Sequence, residues 1–390
     1  MRLLFIHHGV ILGGAPLSLL YLARELESQQ NIEIIIASHS AEMRAFFKEN
    51  LKSTVIDWED PLTYLGKILI GYAILTSRMA FDQFRNSLWH LPGSIIRQIK
   101  LIRRIKPDVV HLNSSVLFTS AIAVKMVGIP IVWHIRECIL GDGLRKQVYG
   151  WFIRRLANKI IAISDVEAKR LGSDQSKVQI IYNPLNFETL QPDCYDQEIE
   201  KKKLGLDVED NLVLSLGGVN PRKGTYELVD AMRYVGEKTK LVIAGPSMPD
   251  SYAPDSYYAH IASVISQLLS KKVSFTGLVE EVAPLLAACD VLVFLGITPH
   301  FPRPVFEAWM MRKPVVVFEM DGISNNIEHN VDGVIVQEKT GKALGLALKE
   351  LLDDNKMMAV MGEHGRVKAE RLCNPVSHAA QVMKIYQELT

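Results

Sequence analysis

The sequence predicts an α/β protein of two successive domains, each a parallel sheet with helices on its faces. Three observations carry that prediction. Short β-rich runs alternate with helix-patterned segments along nearly the whole chain, as βαβ units do. Most of those runs are apolar throughout rather than at every second residue, which suits strands covered on both faces. Finally, 390 residues exceed what one hydrophobic core comfortably serves.

In chain order, RLLFI opens the first domain as a strand and SLLYLARELES follows as a helix. IEIIIAS, DVVHL, IPIVWH and KIIAIS read as further strands. The second domain repeats the scheme with NLVLSLG, TKLVIAG, VSFTG, DVLVFLG and KPVVVFE. Between the two, residues 182–200 (YNPLNFETLQPDCYDQEIE) lose their periodicity to polar residues and Pro. The expected domains are therefore 1–185 and 186–375.

Composition narrows the function classes. With 48% hydrophobic and 22% charged residues the chain reads as soluble and globular. A formal net charge of +1 provides no global field for nucleic acid. Cys138, Cys194, Cys289 and Cys373 are scattered, without CxxC or zinc spacing, which implies a reducing, cytoplasmic compartment. MRLLFIHHG lacks a small-residue cleavage site and reads as a first strand, not a signal peptide. The apolar stretch Leu62–Phe81 is interrupted by Lys67 and Arg78, which argues against a membrane span.

Two stretches are basic and amphipathic. SIIRQIKLIRRIKPD carries Arg97, Lys100, Arg103, Arg104 and Lys106, with Ile95, Ile99 and Ile102 on the opposite side of a helix. LRKQVYGWFIRRLANK is similar and includes Trp151 and Phe152. The plainer reading is a helix packed on the sheet with a solvated basic face. The alternative is peripheral attachment to the inner face of an anionic membrane.

Ligands of open parallel sheets bind beyond the carboxyl ends of strands, so the strand-to-helix loops are the places to search. In HHGVILGGAPLSLL, Gly13 and Gly14 precede a helix start, where free N–H groups favour an anion; a tight turn explains them equally well. The loop is not GxGxxG and offers little to a nicotinamide cofactor. In LSLGGVNPRKGTYELV, Arg222 and Lys223 sit at a helix start, opposing its dipole, and a bound anion would offset that cost. Lys precedes Gly there, so the loop is not a Walker A. In PHFPRPVFEAWMM, Glu307 falls in a first helical turn, where the dipole alone favours an acid. His134, at the end of IPIVWH, reads by itself as a core histidine. Asn113-Ser114-Ser115 follow a strand and suit a turn. Arg136 and Glu137 suit pairing with each other or a neighbour, and Ser164 with Glu167 forms a capping box.

Taken in order, GGAPLSLLYLARELE, DVVHLNSS, PIVWHIRE, IIAISDVEAKRL, VQIIYNP, LGGVNPRKGTYELVDAM, LVIAGP, VSFTGLVEEVAPLLAACDVLVF, RPVFEAWMMRKPVVV and DGISNNIEHNVDGVIV resemble the GT-B glycosyltransferases, specifically the retaining nucleotide-sugar enzymes of family 4. The resemblance covers nearly the whole chain. It implies two Rossmann-like βαβ domains facing across a cleft, with nucleotide on the second domain and acceptor mostly on the first. It also implies a C-terminal helix, here residues 376–390, crossing back to the first domain. By resemblance Glu307 binds the ribose hydroxyls, Lys223 with adjacent Arg222 binds the donor diphosphate, and His134 lies beside the transferring sugar. Gly13 and Gly14 approach the diphosphate, while Gly218, Gly277, Leu278, His300, Phe301, Arg303 and Pro304 complete the donor site. Asn113, Arg136 and Glu137 are expected to face the acceptor.

Three positions depart from the family pattern. Pro299 replaces the first acid of Glu-x7-Glu, Gly218 replaces the Arg five residues before the diphosphate Lys, and Asn325 replaces the acid of GGxPE. His300 and the N–H groups of Phe301 and Arg303 are expected to stand in for the missing acid. No Asp-x-Asp triplet occurs, so no metal or other cofactor is expected. The expected activity is retaining, metal-independent transfer from a nucleotide-diphosphate sugar to a glycan, lipid-linked or small-molecule acceptor in polysaccharide or glycoconjugate synthesis. The alternative is a non-catalytic nucleotide-binding homologue.

Overall fold

The computed structural model of the chain describes residues 1–9, 13–60, 78–137, 143–245, 255–266, 272–296 and 301–390. They form two compact units, Met1–Leu185 with Cys373–Thr390, and Asn186–Leu372.

The first unit is built on seven parallel strands: β1 (Arg2–His7), β2 (Glu33–Ser38), β3 (Thr54–Asp57), β4 (Val109–Leu112), β5 (Ile131–Ile135), β6 (Lys159–Ala162) and β7 (Val178–Ile180). Their order is β3-β2-β1-β4-β5-β6-β7, so the winding reverses between β1 and β4. Leu3, Leu4, Phe5 and Ile6 of β1 are all fully buried. The period-2 alternation divides them between two cores. Leu4 and Ile6 join Val110, Leu112, Trp133, Tyr149 and Ile153 on one face. Leu3 and Phe5 join Val109, Val132, Leu19 and Leu22 on the other. The helix Pro375–Gln387 closes that second face with Ala379, Val382, Ile385 and Tyr386. Its entry is set by Asn374, whose Oδ1 accepts from Ser377 N at 3.0 Å, and by Pro375 in the first turn.

The second unit has six parallel strands: β8 (Asn211–Leu216), β9 (Thr239–Ala244), β10 (Val273–Gly277), β11 (Val291–Phe294), β12 (Val315–Phe318) and β13 (Val334–Val336). The order is β10-β9-β8-β11-β12-β13, with the reversal between β8 and β11. Val213, Ile243, Val293, Val316 and Phe318 meet Leu344, Leu348 and Leu351 of the helix Gly341–Leu352. Each reversal is a place where the loops leaving two neighbouring strands diverge and open a crevice.

Three strands, β3, β7 and β13, were not expected from the sequence. All three are edge strands of three or four residues. The basic stretch ending at Lys106 lies on the helix Arg78–Ile105, with Ile102 buried and Ile95 and Ile99 packed against the core. Residues 61–77 of the apolar stretch lie outside the described residues, as does Cys138. Among the described residues no helix is long and apolar enough to cross a membrane. Cys194, Cys289 and Cys373 are free thiols. Ser164 caps the helix Asp165–Arg170, accepting from Val166 N at 3.2 Å, and its hydroxyl also meets the Glu167 carboxylate.

Candidate active site

In the second unit β8 runs into Gly217 and Gly218, at φ 126° and 72°, both in the left-handed half of backbone space. Their N–H groups donate to Ala244 O at the end of β9, at 2.8 and 2.9 Å. Gly245 follows at φ 127°, and a Cβ there would lie 2.5 Å from Gly218 N. The two strand ends thus touch backbone to backbone. Beyond them Asn220 organises the loop. Its Oδ1 accepts from Arg222 N at 2.8 Å and its O from Lys223 N at 2.9 Å, and Thr225 Oγ1 bonds both its N and its O. Arg222 and Lys223 lie in a 3-10 turn, Pro221–Lys223, and Gly224 at φ 61° passes the chain into the helix Thr225–Ala231. They therefore precede the helix instead of occupying its first turn.

Lys223 is the unusual residue of this loop. Its stem lies along Gly217, where a Cβ would be 3.3 Å from Lys223 Cε. Its ammonium sits 4.9 Å from the centroid of the Phe294 ring, at the end of β11. Burial holds its pKa below the ordinary lysine value. Among the described residues no carboxylate pairs with it.

Across the β8–β11 reversal stands the helix Arg303–Met310, with Pro302 at its N-cap and Pro304 in its first turn. Glu307 Oε1 accepts from Arg303 Nε at 2.8 Å, and both side chains are 13% exposed. The acid and the cation expected to act separately on a donor are thus already paired. The Arg303 N–H donates to Phe301 O at 3.0 Å. It is therefore not the free replacement donor that the sequence suggested. The Phe301 ring stacks on Phe306, 4.7 Å between centroids and 9° from parallel. Asn325 Oδ1 accepts from Gly322 N at 3.1 Å and closes a turn. Pro299 and His300 lie outside the described residues. At the end of β10, Gly277 has φ 70°, and Leu278 is 79% exposed.

In the first unit Gly13 caps the helix Gly14–Glu27 without any side-chain bond. Its φ of −166° is extended backbone that any residue adopts, and a Cβ there would meet nothing within 4 Å. Neither strain nor crowding among the described residues calls for glycine at this position.

The ends of β1, β4 and β5 meet in a buried polar network. Asn113 Nδ2 donates to His7 Nδ1 at 3.0 Å, across the β1–β4 reversal. Arg136 Nε donates to Asn113 Oδ1 and its Nη1 to Asn183 Oδ1, both at 2.6 Å, and its Nη2 lies 3.3 Å from His134 Nδ1. That same Nδ1 is 3.2 Å from His111 Nε2, and His111 Nδ1 is 2.6 Å from the Tyr386 hydroxyl. His378 Nδ1 donates to Tyr182 O at 2.9 Å and its ring stacks against His134. Burial, with the nearby Arg136 charge, depresses the pKa of all four histidines, those of His7 and His378 to about 3.

Asn113, Arg136 and Glu137, expected to face an acceptor, have partners inside the unit. Glu137 accepts from Ser114 Oγ and Ser115 N, both at 2.8 Å, and pins the loop after β4. Sequence reasoning passed over His7, His111, Asn183, His378 and Tyr386. The available signal was a polar residue inside or ending an apolar run, as in RLLFIH and VVHL.

Residues 12–189 match the family described as Glycosyltransferase Family 4, and residues 196–368 match Glycosyl transferases group 1. The UDP-Gal:alpha-D-GlcNAc-diphosphoundecaprenol alpha-1,3-galactosyltransferase of Escherichia coli is 22% identical over 313 residues, 76% of this chain and 79% of that protein. The capsular polysaccharide biosynthesis glycosyltransferase CapM of Staphylococcus aureus is 24% identical over 302 residues, 71% and 76% of the two chains. Among solved structures, Anabaena HepE in complex with UDP and glucose superposes at a TM-score of 0.81 and 19% identity, over 100% of both chains. WaaG, a glycosyltransferase involved in lipopolysaccharide biosynthesis, superposes at 0.69 and 14% identity, over 99% of both. The two-sheet architecture and these matches together identify the chain as a GT-B glycosyltransferase of the family-4 type.

Proposed function

We propose that this enzyme moves a hexose from a nucleotide-diphosphate sugar to a glycan or lipid-linked acceptor in polysaccharide or glycoconjugate synthesis, with retained anomeric configuration and without a metal. The observation that carries the reading is Lys223, a half-buried cation beside the β8–β11 reversal with no acid partner among the described residues. A desolvated cation of this kind is stabilised by a bound anion, and a diphosphate is the anion a sugar donor brings. Solved HepE structures hold UDP and UDP-glucose, and the Escherichia coli relative is named for UDP-Gal and a diphosphoundecaprenol acceptor.

Breaking the sugar–diphosphate bond puts charge on the leaving phosphate, and Lys223 and Arg222 are assigned to stabilise it from positions set before the reaction starts. Arg303 holds Glu307 Oε1 and leaves Oε2 for a ribose diol. In the first unit His134 is assigned as an N–H donor to a sugar ligand. The acceptor attacks from the face the phosphate leaves, and the phosphate takes the acceptor proton. The sequence has no Asp-x-Asp triplet to recruit a metal, so cationic side chains are assigned the neutralisation. Lys223→Ala is expected to weaken UDP binding about tenfold to a hundredfold, the range of one lost charge-assisted contact. Unchanged affinity in titration calorimetry would remove Lys223 from the donor site.

A lipid-linked acceptor is favoured by the outer faces of two helices in the first unit. Leu144–Leu156 exposes Leu144, Val148, Trp151 and Phe152. Arg78–Ile105 exposes Trp89 and Ile96 and also carries the exposed Lys100, Arg103 and Arg104. Apolar groups flanked by cations suit an anionic bilayer surface. The protein is expected to float with phosphatidylglycerol vesicles and to remain behind with neutral ones. Recovery entirely in the soluble fraction with both would end the membrane assignment.

A further inference from the structure

We propose that Arg136 is a positioning residue that sets the tautomers of two histidines, His7 and His134, so that each presents a proton on Nε2 to an oxygen of a ligand at the carboxyl ends of β1 and β5. This rests on the reading that His134 meets a sugar ligand, and extends it to His7 and to the group that orders both rings.

A guanidinium carries donors only, so every atom opposite it must accept. Arg136 Nη2, 3.3 Å from His134 Nδ1, makes that nitrogen an acceptor and places the ring proton on Nε2. His111 agrees with this choice. Its Nε2, 3.2 Å from the same Nδ1, must donate, and its Nδ1 must then accept from the Tyr386 hydroxyl at 2.6 Å. Each contact in that chain has one donor and one acceptor. The opposite tautomer of His134 would set its Nδ1–H against Arg136.

The second arm works through Asn113. Arg136 Nε donates to the amide oxygen at 2.6 Å, which fixes the orientation of the amide. Asn113 Nδ2 therefore faces His7 Nδ1 at 3.0 Å and donates to it, leaving the His7 proton on Nε2. Both histidines are at most 1% exposed, and among the described residues neither Nε2 has a hydrogen-bond partner. A buried donor without an acceptor is unfavourable, and ligand oxygens at the carboxyl ends of β1 and β5 would supply the acceptors. A hydroxyl or phosphate oxygen suits two uncharged N–H donors, and the network leaves neither ring free to turn over.

Nitrogen NMR of the full chain with labelled histidines reports which ring nitrogen bears the proton, whether or not the protein turns over. The expected wild-type spectrum shows protonated Nε2 and bare Nδ1 at both His7 and His134. In Asn113→Asp the carboxylate keeps its partner Arg136 but has no N–H for His7. His7 Nδ1 is expected to gain a proton while His134 is unchanged. In Arg136→Met a protonated Nδ1 population is expected at His134, with kcat lowered about tenfold or more. A wild-type proton on either Nδ1, or a bare His7 Nδ1 in Asn113→Asp, would overturn the proposal. His134→Ala separates the underlying reading. If it turns over normally while the tautomers are as stated, the relay stands and its role in transfer falls.

Discussion

Acidification from pH 7 to pH 5 is expected to remove several kcal/mol of stability from the first unit. His7 and His378 are buried, and their folded-state pKa values are held at about 3, against 6.5 for an exposed histidine. For His7 burial is the main cause, followed by the charges of His8 and Arg136; for His378 it is burial, then Arg136. The unfolded chain therefore takes up protons below pH 6.5 while the folded unit refuses them. Stability is complete above pH 6.5, falls as pH drops through that value, and levels off only near pH 3. At about 1.4 kcal/mol per pH unit for each group, a shift to pH 5 costs roughly 2 kcal/mol per histidine. The two together cost about 4 kcal/mol, a large fraction of a typical stability of about 5–15 kcal/mol. His111 and His134 are depressed in the same direction and add to the slope. Hydrogen exchange of the β1 and β5 amides across this range measures the effect. Protection that stays constant from pH 7 to 5 would show that the histidines are not held neutral by the fold.

Gly245→Ala is expected to destabilise the second unit by roughly 3 kcal/mol or more. Two effects add. The residue holds φ 127°, a conformation that side-chain-bearing residues rarely adopt, and its new Cβ would stand 2.5 Å from Gly218 N and 2.9 Å from Gly217 C. Both neighbours are backbone atoms, tied to Ala244 O through the N–H groups of Gly217 and Gly218. Neither can turn aside as a flexible side chain would. The displaced segment leads directly to Lys223, so UDP affinity is expected to fall with the melting temperature. A thermal melt unchanged within about 0.5 kcal/mol would show that the β8 and β9 ends do not press together.

Much of the scaffold was legible. Runs such as LLFI, IVW and VVVF are apolar at consecutive positions because the strands pack on both faces, and those strands were read correctly. β3 and β7 escaped because these edge strands lie partly exposed, and β13 because it is only three residues long. Thr54–Asp57 and Val178–Ile180 accordingly have little or no fully buried surface and no distinctive pattern. The place of Lys223 in the loop after β8 was legible because Gly217-Gly218 end the apolar run and Pro221 and Gly224 mark a turn. The Arg303–Glu307 pair was available from its i,i+4 spacing. Assigning Glu307 to the ribose and Arg303 to the donor separately missed that pairing.

Gly13 and Gly245 show why residue type alone stops short. Both follow apolar strands in loops of similar appearance. One has extended backbone and open space where a Cβ would go, and the other is pressed against a neighbouring strand end. Only the tertiary structure separates them.

What the amino-acid order determined unaided is the pair of doubly covered sheets and the strand ends that carry glycines, cations and histidines. Those features depend on neighbours within a few residues, through burial periodicity and backbone preference. Which polar atoms meet was decided by the tertiary structure. Tyr386 reaches His111 across 275 positions, and Asn113 reaches His7 across 106. The direction of a hydrogen bond is a property of two groups brought together, and no local pattern encodes the second group.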